Sequence, residues 1–69
     1  MAIVKHAIGE IDVVELLEAV GRWPAGTTGT VVSDYGDVKL VEIADDRGVA
    51  LDYVQVPEPE LKLIAKHSD

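Results

Sequence analysis

A chain of 69 residues has room for one domain and sits near the lower size limit for folding on a hydrophobic core alone. It contains no cysteine, which excludes disulfide staples and thiolate metal sites and argues against a small secreted scaffold. Thirteen acidic residues against six basic ones leave a formal charge of −7, a field that repels nucleic-acid phosphates and anionic membrane surfaces.

Hydrophobic residues make up 48% of the chain, and they are mostly Val, Ile, Leu and Ala with no Phe and one Trp. Such an aliphatic, β-branched core favours strands. The apolar start is broken by Lys5 and His6 and has no basic leader. No run reaches the roughly 18 apolar residues of a membrane span. These features lead to the expectation of a cytoplasmic protein without a membrane segment. One domain is expected over residues 1–69, its core over 11–64, with terminal segments at 1–10 and 65–69.

Residues 2–8 read as a terminal strand or a loose end. Residues 11–21 read in two ways. Asp12 and Glu15 have capping-box spacing, and Val13, Leu16, Leu17 and Val20 share a helical face that Gly21 would stop. The same stretch also fits a strand with Val14 and Leu16 on one side. The residues alone favour the helix.

Residues 22–29 are a loop by their Pro and Gly content. Residues 30–33 form a strand, and Asp34-Tyr-Gly-Asp37 turns the chain. Residues 38–44 form the next strand, and Asp45-Asp-Arg-Gly48 turns it again. Residues 49–56 follow until Pro57 and Pro59 break the pattern. Residues 61–64 are a last strand or a helical turn. Three strands joined by two four-residue turns make an antiparallel meander, which added terminal strands can close into a barrel. There is no internal repeat and no linker.

The segment Pro24-Ala-Gly-Thr-Thr-Gly-Thr-Val-Val32 resembles the Gly-x-x-Gly-Thr-Val-Val lead-in to the second strand of KOW and SH3-like barrels. Asp12-Val-Val-Glu-Leu-Leu precedes it, Val41-Glu-Ile-Ala-Asp-Asp-Arg-Gly48 follows, and Leu61-Lys-Leu-Ile64 closes the pattern. Together, over residues 11–64, these resemble a family of small bacterial proteins known only as a domain of unknown function. The resemblance implies an all-β fold, a small SH3-like antiparallel barrel of about five strands with room for one short helical turn. It also implies a first strand near residues 12–16 and then a long loop. Gly26 and Gly29 are expected to provide a tight bend with positive φ and a close backbone approach. Gly36 and Gly48 fall in the two turns. The family has no catalytic motif to transfer.

No catalytic or metal constellation stands out. His6 and His67 lie near opposite ends and have no ligand spacing between them. Asp34, Asp37, Asp45 and Asp46 are acidic enough to suggest calcium. Counting from Asp34 or Asp37, however, the twelfth position is Asp45 or Gly48 rather than the closing Glu. Turn roles suit them better. Glu15 with Glu18, or Glu58 with Glu60, would need a pocket to do acid–base work. Ser33 and Ser68 lack a triad context, and Gly26-Thr-Thr-Gly-Thr30 lacks the Lys of a phosphate loop. No enzyme activity and no cofactor are expected.

The aromatic set is Trp23, Tyr35 and Tyr53. Either these aromatics line a binding groove, with Trp23 as an anchor, or Trp23 plugs a barrel end while Tyr53 packs along its strand. Tyr35 at a turn tip is expected to be exposed. Arg22, Trp23 and Tyr35 are the expected contact residues, because Trp, Tyr and Arg dominate binding hot spots. The expected function is a non-catalytic interaction module for another protein, of basic character, in the manner of an antitoxin or immunity protein or a regulatory subunit. The alternatives are a KOW-like RNA or ribosome-associated binder, and a self-assembling homo-oligomer joined through an edge strand at residues 2–8. Scattered cations (Lys5, Arg22, Lys39, Arg47, Lys62 and Lys66) weigh against nucleic acid.

Overall fold

In the strand Val38–Ala44 every second residue, Lys39, Val41 and Ile43, is buried, whereas the residues between them are not. That period of two is what a half-buried strand dictates. It recurs at Val14 and Leu16 in the strand Val13–Leu16. The computed structural model describes residues 7–67. Among them are five strands: β1 (Val13–Leu16), β2 (Thr28–Asp34), β3 (Val38–Ala44), β4 (Ala50–Pro57) and β5 (Leu61–Ala65). A single 3-10 turn, Glu58–Glu60, joins the last two. All pairings are antiparallel and the sheet order is β4-β3-β2-β1-β5.

In a flat sheet the two outer strands would lie about 19 Å apart. Here all five strands feed one core, in which Val14, Leu16, Val31, Val41, Val56 and Leu61 cluster with Ile8. The sheet therefore curls on itself into a small barrel, with β4 and β5 as its edges. The all-β expectation holds, including the single helical turn.

Residues 11–21 are not helical. Val13–Leu16 is a strand flanked on both sides, with Val14 opposite Gly29 on β2 and Leu63 on β5. Two ladders and a buried alternating face outweigh a weak local helix preference. The expected terminal strand falls partly on residues 2–6, which lie outside the described residues. Ala7 and Ile8 belong to no strand, and Ile8 is buried in the core.

Gly26, Gly36 and Gly48 have φ of 92°, 84° and 82°, as turn positions require. Gly29 does not belong to the bend. It lies within β2 and provides the close backbone approach: a Cβ there would sit 2.6 Å from the Glu42 carbonyl oxygen and 2.6 Å from Val41 Cγ1.

Asp34 and Asp45 act as turn residues. Asp34 Oδ1 accepts from the Gly36 N–H at 2.8 Å. Asp45 Oδ1 accepts from the N–H groups of Arg47 and Val49 at 2.9 and 3.0 Å. Among the described residues no group of three or more His, Cys, Asp or Glu side chains could hold a metal ion. No helix among them is long and apolar enough to cross a membrane.

One turn is strained. Asp12 N donates to Gly9 O at 3.2 Å, and Ile11 in this turn adopts a φ of 73°. A left-handed conformation costs an L-residue roughly 1–2 kcal/mol, and β-branched residues avoid it most. Ile11 is half exposed, so little burial offsets that cost. Ile11→Gly should therefore stabilise the domain by up to about 1 kcal/mol, even after the glycine's extra unfolded-state entropy. Urea unfolding checks this, and an unchanged or lower midpoint would show that the turn carries no strain.

Asp12 itself is a buried junction. Its Oδ2 accepts from Gly9 N and from Lys66 Nζ, both at 2.8 Å, and its Oδ1 accepts from His67 N at 2.7 Å. The lead-in to β1 is thereby tied to the end of β5. The hydrogen bond from Lys66 does most to hold the Asp12 carboxyl down at about 2 against an ordinary value of 3.8, and burial opposes it. The folded state binds this proton less readily than the unfolded state. The stabilisation is thus complete above pH 4 or so and is lost as pH falls towards 2. Lys66 is mostly exposed and a small domain surrounds the carboxylate thinly, so the contribution is discounted to roughly 1–2 kcal/mol. Asp12→Asn should accordingly cost stability at pH 7, with the gap to wild type closing between pH 5 and pH 2. A gap that stays constant with pH would remove this account.

The β4 edge is guarded. Tyr53 donates its backbone N–H to Asp52 Oδ1 at 2.9 Å, and Pro57 at the strand end has no N–H to offer. Both devices blunt the row of groups to which a stray strand would pair.

Candidate interaction surface

The long β1–β2 connection is closed at its base. Leu16 N donates to Thr27 O and Gly26 N donates to Leu16 O, each at 2.8 Å. Within it, Val20 and Trp23 exchange both backbone hydrogen bonds, at 2.8 and 2.9 Å, across a two-residue turn. Gly21 occupies the first central position of that turn with a φ of 56°. A primed turn of this kind needs glycine there. The residue that looks like a helix stop is therefore what presents Arg22 and fixes Trp23.

Trp23 is half buried and packs against the core beside Val20 and Val54. Its Nε1–H donates to Asp52 Oδ2 on β4 at 2.8 Å. The exposed Arg22 guanidinium lies over the indole, 4.7 Å from the ring centroid. The Trp23 hydrogen bond, with help from Tyr53 N–H and the Arg22 charge, lowers the Asp52 carboxyl and keeps it ionised. One part of Trp23 faces the core and another faces Arg22.

On either side of Asp52, Leu51 and Tyr53 are exposed. Tyr53 reaches its cross-strand neighbour on β3. Its hydroxyl donates to Glu42 Oε2 at 3.2 Å, and that carboxylate raises the phenol's pKa. Tyr35 is 61% exposed, but it sits in the β2–β3 turn. Asp52 pairs with Ile43 near the far end of β3, about 17 Å of strand away from that turn. The structure therefore joins Arg22 and Trp23 with Asp52 and leaves Tyr35 apart.

Near the Tyr35 end lies an apolar groove of about 540 Å³, lined by Ile8, Val38, Pro57, Pro59, Leu61 and Leu63. Beneath it Lys39 is fully buried. Its Nζ donates to Asp34 Oδ1 at 2.5 Å, Gly36 O at 2.7 Å and Glu58 Oε1 at 3.0 Å. Those three acceptors match the three donors of an ammonium group. Burial pulls the Lys39 pKa down, but the hydrogen bonds to the two carboxylates outweigh it and the net shift is upward. No buried polar side-chain atom among the described residues lacks a hydrogen-bond partner. The carboxylate-bearing residues Asp37 and Glu58 also line the groove.

A scan against protein-family models, a search of curated proteins and a search of solved structures each found no match for this chain.

Proposed function

We propose that this protein is a non-catalytic interaction module that binds another protein of basic character. The observation that carries this reading is the clamped Trp23. A rigid indole, held by Asp52 beneath Arg22 at a loop next to outward Leu51 and Tyr53, is an aromatic anchor of the kind hot spots use. The charge distribution supports a basic partner. Of the six basic residues, Lys39 is spent on Asp34 and Glu58, Lys66 on Asp12, and Arg22 on Trp23. Glu42, Asp45, Asp46 and Asp52 all lie towards the Trp23 end of β3 and β4. A field of that sign steers a cationic partner and disfavours nucleic acid.

The test is capture from the source cell's lysate at low and raised salt, using wild type and substituted protein. A single basic protein, released by salt, is the expected catch. Trp23→Ala should weaken its binding at least about fivefold, equivalent to more than 1 kcal/mol. Leu51→Ser, on an exposed site that leaves the fold intact, should weaken it too. Recovery of RNA, or binding indifferent to both substitutions, would overturn the reading.

A further inference from the structure

We infer that Arg22 is a resident placeholder in a guanidinium site formed by the Trp23 face and the Asp52 carboxylate, and that an arginine of the partner displaces it. The inference rests on the interaction-module reading and names the side-chain chemistry that this surface receives. Three observations carry it. A guanidinium already sits 4.7 Å from the centre of the Trp23 ring, so the face accommodates that group. Asp52 is fixed beside it by two donors, Trp23 Nε1 at 2.8 Å and Tyr53 N at 2.9 Å, one to each carboxylate oxygen. A carboxylate oxygen accepts more than one hydrogen bond, so capacity for an incoming guanidinium remains.

The third observation is how loosely Arg22 is held. Its side chain is exposed, and beyond the stack it makes no hydrogen bond or ion pair with the described residues. Its attraction to Asp52 acts only through space. An exposed cation–π contact is weak and is readily exchanged for another of the same kind. The tight Val20–Trp23 turn holds the aromatic face in place while the Arg22 side chain swings away. Arginine suits this site better than lysine, because its planar group both stacks on an indole and forks onto a carboxylate. The exchange is nearly neutral at the face itself, so net affinity comes from what flanks the arginine in the partner.

Trp23 is the only tryptophan in the chain, so its fluorescence reports on this site directly. Wild type, Arg22→Ala and Arg47→Ala are titrated with hexa-arginine and with hexa-lysine. Both substitutions remove one positive charge, but Arg47 lies in the β3–β4 turn and makes no aromatic stack in the structure. Removing the resident competitor should let hexa-arginine perturb Trp23 in Arg22→Ala at a concentration about two- to fivefold lower than in Arg47→Ala. Hexa-lysine should show a smaller difference. Equal midpoints in the two variants would overturn the placeholder, because only general charge would then be at work. If the arginine preference is found but the lysate yields no basic protein, the site stands and the interaction-module reading is what fails.

Discussion

Replacing Lys39 with alanine should unfold most of the protein at room temperature. The ammonium is shared by Asp34, Gly36 and Glu58, and the side chain has no solvent exposure. Removing one partner of a buried charge cluster typically costs about 3–5 kcal/mol, because the two carboxylates lose the cation they share. A domain of this length has a total stability of roughly 3–10 kcal/mol. The loss is therefore comparable with the whole. Lys39→Met keeps the apolar stem and removes only the charge, so it should cost less than the alanine and still lower the urea midpoint well below wild type. Lys62→Ala, at an exposed site on β5, should change it by less than about 0.5 kcal/mol. A Lys39→Ala protein that unfolds at the wild-type midpoint would show that the buried cluster contributes nothing to the fold.

The second large effect is expected at Gly29. In most strands a glycine to alanine change is neutral or helpful, because glycine is a poor strand former. Here the added methyl group would lie 2.6 Å from both a backbone oxygen and the buried Val41 side chain. Neither neighbour has room to retreat, since Val41 is fully buried in the core and Glu42 O belongs to the β3 backbone. Overpacking of a well-filled core costs typically 1–3 kcal/mol, and the backbone contact places this site at the upper end of that range. Gly29→Ala should lower thermal and urea midpoints by correspondingly more than Gly26→Ala. Although φ at Gly26 is positive, an added Cβ there meets nothing within 4 Å. If the order of the two is reversed, backbone conformation rather than close packing governs this segment.

Much of the fold was legible because strands announce themselves locally. The two turns with Asp and Gly, the Val-rich runs between them, and the Pro57 stop all lie within a few residues of the structure they dictate. The stretch at residues 11–21 was ambiguous for a physical reason. Four strand residues are too few for periodicity to decide, and what decides is pairing with β2 and β5. Burial of Lys39 and Asp12 had a signal that composition hid. Lys39 is in step with Val41 and Ile43, and Asp12 is in step with Val14 and Leu16, so alternation alone puts both inside. Counting them as surface charge follows the general rule that charges are buried only when paired. Asp34 and Gly36, which help to permit the burial of Lys39, are close by, but Glu58 for Lys39 and Lys66 for Asp12 are far away in sequence.

The site was half legible for the same reason. Arg22 and Trp23 stand out as an adjacent pair, but nothing local says that the indole reaches Asp52, 29 residues on. Tyr35 drew attention as an aromatic at a turn tip, and only the register of β3 with β4 shows that it sits at the other end. The apolar groove gathers residues from before β1, the start of β3 and the turn before β5, a union that only the curled sheet creates.

Asp52 answers to two constraints at once, and this narrows what evolution can do with it. One carboxylate oxygen holds the indole and the other covers an edge N–H. A longer acid would overreach the neighbouring amide, and an amide side chain would present a donor where one of the two needs an acceptor. Drift at this position therefore puts recognition and colloidal safety at risk together. In a saturation library, position 52 should tolerate fewer replacements than its exposed neighbours on the same strand.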